Sequence, residues 1–179
     1  MLPNSLNFCL NLSLSILFFL AGWTLYAQQS SVDFDSDLHK FESFNGANFS
    51  FAFDPLNATN RIGEITNNGD TWEGIYLYTP NSVTLDSQKV VSLRCYNFAS
   101  TAQTVLMKLE DPNNTDVEIE VTASGIGWST LDFDFSQARI SGTSTPINAG
   151  GTYKKMTLFV NGGTSDVGTH LIDDITYPN

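Results

Sequence analysis

From Val90 to Ile175 the chain alternates apolar and polar residues segment after segment, and nowhere does it sustain a helical period. Successive side chains of a strand point to opposite faces, so each such segment has one apolar and one polar side. Val91, Leu93 and Cys95 fall on one side, with Ser92, Arg94 and Tyr96 on the other. Val105, Met107 and Leu109 oppose Lys108 and Glu110, which share their side with Leu106. Val117, Ile119 and Val121 oppose Glu118 and Glu120, and Leu131, Phe133 and Phe135 oppose Asp132 and Asp134. Four segments with the same split predict an antiparallel sheet with one face on a core.

Short runs rich in Val, Ile, Thr, Phe and Tyr predict strands over 31–35, 49–53, 63–66, 72–78, 89–98, 103–111, 115–123, 129–135, 154–160 and 169–177. Asp54-Pro55, Asn67-Asn68-Gly69-Asp70, Pro80-Asn81 and Asp111-Pro112-Asn113-Asn114 mark turns between them. That rhythm predicts an all-β fold, an antiparallel β-sandwich of the jelly-roll kind. The polar stretch 142–151 reads as a long loop, either solvated or edging a ligand cleft.

The first 27 of the 179 residues hold no Asp, Glu, Lys or Arg, and Leu10 to Leu20 is nearly all apolar. Followed by Leu25-Tyr26-Ala27, residues 1–27 read as a secretory signal peptide cleaved after Ala27. The apolar run is short for the roughly 20 residues of a membrane span, so an exported chain without a span is expected. Residues 28–179 then form a single domain, with no repeat or linker. This domain carries the whole net charge of −11. Such a charge repels nucleic-acid backbones and anionic lipids, and leaves neutral glycans and divalent cations open. Cys95 is the only cysteine past residue 27, so no internal disulfide is expected, and its place in the alternation predicts a core thiol.

Several constellations are chemically suggestive. Glu118 with Glu120, and Asp132 with Asp134, are carboxylates two residues apart on strands. Paired acids of that kind serve glycoside hydrolysis, but cross-strand pairing with Lys108 and Arg94 on the same sheet face is the cheaper explanation. His39 and His170 lie among turn residues and read as surface histidines, since no nucleophile elbow or zinc spacing accompanies them. Asp173 and Asp174 close the last strand, and Asp33, Asp35 and Asp37 meet them if the terminal strands pair. Such oxygen ligands suit calcium, and capping of a turn by backbone contacts is the alternative. Trp72, Tyr76 and Tyr78 alternate as if on one strand face, and Tyr96 with Phe98 forms a second set, beside Arg94. Aromatic rings with polar neighbours are the composition of a sugar site; packing in the core is the other reading.

Specific motifs occur in a telling order. Phe34-Asp35, Phe44-Asn45-Gly46-Ala47, Asp54-Pro55 with Asn57 and Asn60, and Trp72-Glu73-Gly74 open it. Lys108-Leu109-Glu110, Trp128, Phe133-Asp134-Phe135-Ser136 and Ile172-Asp173-Asp174-Ile175 continue it. The order resembles a carbohydrate-binding module of the galactose-binding-like jelly-roll type, as found with the secreted laminarinase-like and agarase-like glycoside hydrolases of marine Bacteroidetes. The likeness spans residues 28–179. It implies a non-catalytic, polysaccharide-binding β-sandwich, working with a glycoside hydrolase system. It also implies a structural calcium held by Asp35, where relatives commonly have Glu, and by Asp174 or Asp173. Trp72, Tyr76, Tyr78, Arg94 and Tyr96 are the expected glycan-binding residues. A compact glycosidase or lyase using the strand carboxylates, and an adhesive module with no sugar ligand, remain the alternatives.

Overall fold

The computed structural model describes residues 28–179, and the expected signal peptide, 1–27, lies outside them. Twelve strands form in chain order. They are β1 (Gln29–Val32), β2 (Glu42–Phe44), β3 (Asn48–Asp54), β4 (Asn57–Asn68), β5 (Gly74–Leu85) and β6 (Val90–Asn97), followed by β7 (Gln103–Glu110), β8 (Val117–Ala123), β9 (Gly127–Asp134), β10 (Arg139–Ile140), β11 (Gly151–Val160) and β12 (Val167–Pro178). Two six-stranded sheets result, and every pairing in them is antiparallel. The first runs β3-β4-β12-β6-β9, with β1 added beside β12, and the second runs β10-β8-β7-β11-β5-β2. The chain is an antiparallel β-sandwich.

The alternation read from the sequence sets the core. Val91, Leu93, Cys95, Leu131 and Phe133 of the first sheet belong to one buried cluster with Val105, Met107, Leu109, Val117 and Leu158 of the second. Each such aliphatic or aromatic side chain contributes roughly 1.5–3 kcal/mol on full burial. Cys95 is fully buried, and burial pushes its thiol up to about 12 against a weaker opposing hydrogen bond from Gln103. At neutral pH it is a packing residue and not a nucleophile.

Three features depart from the sequence expectation. β5 does not stop at Pro80 but continues to Leu85. Its pairing with β11 skips from Tyr78↔Lys155 to Val83↔Tyr153, so the proline sits in an irregularity where no ladder N–H is needed. β2 and β10 went unseen because three and two residues carry no readable alternation. The 142–150 loop is fastened to the sandwich, with Ile147 N–H donating to Ala138 O (2.8 Å) and Ala149 N–H to Phe135 O (3.0 Å).

The terminal strands do pair, Gln29–Val32 lying against Ile175–Pro178. β12 carries β4 along Val167–Ile172 and then takes β1 as its neighbour. The exchange follows a register shift against β6 between Asp173 and Thr176, within which Asp174 has a positive φ of 45°. Bulges of this kind re-aim side chains and change neighbours.

Candidate functional site

The outer face of the second sheet, away from the core, carries a band of aromatic rings on β2, β5 and β11. Register places Tyr76 between Glu42 of β2 and Thr157 of β11, and Tyr78 beside Lys155. Phe44 meets Phe159 edge to face at 5.5 Å and lies 6.2 Å from Tyr76, whose ring meets Tyr78 at 5.9 Å and 88°. Tyr78 is 65% exposed. Tyr76 donates its hydroxyl to the Glu42 carboxylate, which pushes its pKa up and fixes it as a neutral donor.

Trp72 joins the band by a route the alternation did not show. It precedes β5, and its positive φ of 63° breaks the strand pattern expected over 72–78. The neighbouring Glu73 is buried and accepts backbone N–H groups from Asn68 (2.6 Å), Gly69 (2.5 Å) and Asp70 (2.5 Å). One carboxylate thus ties the 67–70 turn to the start of β5 and holds Trp72 in place. Its ring packs edge-on against Phe159 at 5.7 Å and passes over Gly162 and Gly163, yet Trp72 stays 48% exposed. Chemistry at Glu73 and Phe159 was missed from sequence; the Gly162-Gly163 pair was the available signal for a large neighbour.

Across from the rings, on β7 and β11, lies a charged cluster. Glu110 accepts from Lys108 Nζ (2.7 Å), Lys155 Nζ (2.9 Å) and Thr157 Oγ1 (2.6 Å). Burial alone raises the Glu110 carboxyl, but these bonds outweigh it and hold it below the ordinary carboxylate range. Lys108 also pairs with Asp116 (3.1 Å). Burial alone lowers its pKa, and the two carboxylates more than reverse that. The ammonium of Lys155 sits 4.6 Å over the Tyr76 ring centre, a cation–π contact.

Between rings and charges runs an open groove. A recess of about 390 Å³ lies over Phe44, Tyr76, Thr157 and Phe159. It shares Tyr78, Glu110 and Lys155 with a second, of about 420 Å³, that reaches Pro112 and Asp116. Asp111 and Lys154 lead on to a third, of about 330 Å³, beside Asn113, Asn114 and Thr152. A larger hollow of about 550 Å³ lies apart, between Phe98 and Val167, where β6 gives way to β7 and β11 to β12. Several of its polar groups are engaged internally, whereas the buried His170 Nε2 has no hydrogen-bond partner among the described residues. Asn97 bonds Thr101 O and Ala99 N–H, Asn161 bonds Thr104 N–H and Asp166, and Gln103 bonds Cys95 and His170. The groove differs from the hollow in running through three adjoining recesses, the shape an extended ligand needs.

The five expected glycan residues divide. Tyr76 and Tyr78 line the groove and Trp72 packs behind it on Phe159, whereas Arg94 and Tyr96 lie on β6 of the opposite sheet. Arg94 reaches Asp174 Oδ2 (2.9 Å) and Asp173 Oδ2 (3.7 Å) and covers the Trp128 ring at 4.6 Å. Tyr96 is wedged between Phe98 (4.9 Å) and Trp128 (5.3 Å). Trp128 donates its indole N–H to Asp54 Oδ1 (3.1 Å), as a structural residue does.

Asp35, Asp173 and Asp174, the residues expected to hold calcium, differ in their surroundings: Asp35 faces solvent and the other two lie near Arg94. Among the described residues no group of three or more His, Cys, Asp or Glu is placed to hold a metal. A guanidinium already lies against Asp173 and Asp174, and Asn60 Nδ2 donates to Asp173 Oδ2 (3.0 Å). Burial, more than the neighbouring Asp174, raises the Asp173 carboxyl, with Asn60 and Arg94 opposing. Near the amino end Asp35 is exposed, Asp37 is bound by Arg61 (2.9 Å) and Asp33 by His39 (3.0 Å). Asp173 Oδ1 is buried without a hydrogen-bond partner among the described residues, while Oδ2 of both Asp173 and Asp174 faces Arg94.

The strand carboxylates separate as well. Glu118 and Glu120 lie on the second sheet and Asp132 and Asp134 on the first, so alternation aims the two pairs away from each other. Glu118 is bonded by Arg139 (2.8 Å) and Ser141 (2.8 Å), Asp132 by Ser92 (2.6 Å), and Asp134 caps a 3-10 turn through Ser136 N–H (3.0 Å). Lys108 and Arg94, expected on one face, are likewise on different sheets. His170 is not at the surface: it is buried, with Nδ1 2.9 Å from Gln103 Oε1 and Nε2 3.3 Å from Asp166.

Solved structures of similar architecture include several that are distant in sequence. A family 11 carbohydrate-binding module from Clostridium thermocellum, solved with a β-1,3-1,4-mixed-linked tetrasaccharide, aligns over 84% of this chain and 95% of its own, at 16% identity and a TM-score of 0.57. The CBM22-2 xylan-binding domain from Paenibacillus barcinonensis aligns over 84% and 99%, at 13% identity and a TM-score of 0.52. The chain has the jelly-roll fold of carbohydrate-binding modules. An agarase aligns over 82% of this chain but a quarter (25%) of its own, at 7% identity and a TM-score of 0.57. No family model matches the sequence, and no curated protein does.

Proposed function

We propose that this chain is a secreted, non-catalytic module that binds an uncharged polysaccharide along the groove of the second sheet. One observation carries the reading: Phe44, Tyr76, Tyr78, Phe159 and Trp72 form a continuous, partly exposed ring surface beside ionic groups that are paired with each other. Ring faces pack on the apolar faces of sugars, and the exposed Asn113 amide supplies hydrogen bonds along the same line. The exposure of Trp72 and Tyr78 tells against a module whose aromatics serve only packing. The two carboxylate pairs lie on different sheets, and Glu118, Asp132 and Asp134 are engaged by protein groups, which tells against an acid pair flanking one glycosidic bond.

Residues 1–27 support export, and among the described residues no helix is long and apolar enough to cross a membrane. The similar agarase carries its matching part within a longer chain, which supports action beside a glycoside hydrolase. Calcium has no part in the proposal, because Arg94 holds the aspartates expected to bind it.

Affinity gel electrophoresis with mixed-linked β-glucan and with xylan tests the reading. The protein should be retarded by at least one of these neutral chains. Loss of one stacking ring in Tyr78→Ala, about 1 kcal/mol, should weaken retention several-fold. Unchanged mobility of the wild type in every neutral glycan gel overturns it.

A further inference from the structure

We infer that Glu110, seconded by Asp116, sets the charge selectivity of the groove by neutralising two lysines that otherwise make it a receptor for acidic polysaccharides. This rests on the groove being the glycan site. The lining holds three lysines, Lys108, Lys154 and Lys155, against three carboxylates, Glu110, Asp111 and Asp116, in a chain whose net charge is −11. A groove so balanced has no net attraction for a polyanion, and a uronate entering it meets two carboxylates that already hold the cations.

Glu110 stands at the centre of that balance. Its Oε1 faces Lys108 (2.7 Å), and its Oε2 faces both Lys155 (2.9 Å) and Thr157 (2.6 Å). Lys155 and Glu110 are register partners on β11 and β7, so the ammonium is drawn to the middle of the groove and over the Tyr76 ring. Among the described residues Lys155 pairs with no carboxylate except Glu110, whereas Lys108 keeps Asp116 (3.1 Å) when Glu110 loses its charge. Glu110→Gln therefore releases one ammonium beside an aromatic platform. The new amide oxygen still accepts from Thr157, while the amide NH2 displaces the Lys108 ammonium toward Asp116. Asp116 is 40% exposed and touches only Lys108 among the charged groups, so Asp116→Asn shifts the same balance from a less constrained position.

The experiment compares wild type, Glu110→Gln and Asp116→Asn in affinity gels of a neutral glucan and of polygalacturonate, at low and high salt. Glu64→Gln supplies a control with the same charge change on β4 of the opposite sheet, where Glu64 accepts from Ser50. Wild type should ignore polygalacturonate. Glu110→Gln should gain retention about tenfold over wild type, Asp116→Asn a smaller gain, and both gains should vanish at high salt. Adding Lys155→Met to Glu110→Gln should abolish the gain.

Circular dichroism establishes which variants are folded. Folded Glu110→Gln that stays blind to polygalacturonate overturns the inference, as does an equal gain by Glu64→Gln. If Glu110→Gln does not fold, Asp116→Asn decides alone, its gain supporting the assignment and its lack of gain overturning it. A wild type that binds no neutral glycan sinks the groove as glycan site, whatever the variants do. Neutral binding without any gain sinks only the charge selectivity.

Discussion

Arg94 gathers around one side chain several residues that read separately in the sequence. Its guanidinium lies on Asp173, which is 2% exposed, on Asp174, and on the Trp128 ring. Arg94→Ala leaves Asp173 buried without a cation and should lower stability by about 2–3 kcal/mol, read from urea denaturation. The closing Asp-Asp pair was visible in the sequence, but its partner lies 79 to 80 positions away in the chain, and no local pattern reports a contact of that span. With arginine in place, neither added calcium nor EDTA should shift the thermal midpoint. A calcium-dependent rise of several degrees would falsify the arginine anchor.

His170 carries the pH dependence. Burial, partly opposed by Asp166, lowers its pKa, so the unfolded chain takes up a proton more readily than the folded one does. Stability at this residue is intact above the ordinary imidazole pKa of about 6.5 and is lost as pH falls through the window below it. Denaturation midpoints at pH 7.5 and pH 5 should therefore diverge, and His170→Gln should narrow the gap. Two histidines among turn residues gave no hint of this, because burial of His170 depends on Gln103 and on the loop after β11.

Among the elements, β5 is where local pattern and tertiary placement differ most. Its alternation was legible in Tyr76 and Tyr78, and Ile75 and Leu77, before and between them, are buried. Its end was not, because Pro80 reads as a stop unless the irregular pairing with β11 is known. Gly74, the first residue of the strand, lets β2 approach. A Cβ there lies 2.6 Å from the Phe44 ring and 2.9 Å from the Leu158 carbonyl oxygen. The ring can yield, but the backbone cannot. Gly74→Ala should cost about 1–3 kcal/mol of stability and weaken glycan retention by displacing Phe44 from the groove. Unchanged stability together with unchanged retention would mean that β2 does not shape the site.

At the scale of the whole molecule, alternation conveyed the sandwich because each strand needs only its own period to divide core from surface. The site was half legible for the same reason. Period identifies an outward residue but not which of two sheets carries it, so Arg94 and Tyr96 were grouped with rings that lie on the other side. Trp72 reached the ring band behind the groove through a turn with positive φ, against the strand pattern that suggested it.

The most direct test is isothermal titration calorimetry of wild type, Tyr78→Ala and Tyr96→Ala with a mixed-linked β-glucan oligosaccharide and with a xylan oligosaccharide. At least one neutral ligand should bind the wild type. Tyr78→Ala should lose several-fold in affinity, while Tyr96→Ala should match the wild type. Binding abolished by Tyr96→Ala and untouched by Tyr78→Ala would place the ligand on the opposite sheet and contradict the groove.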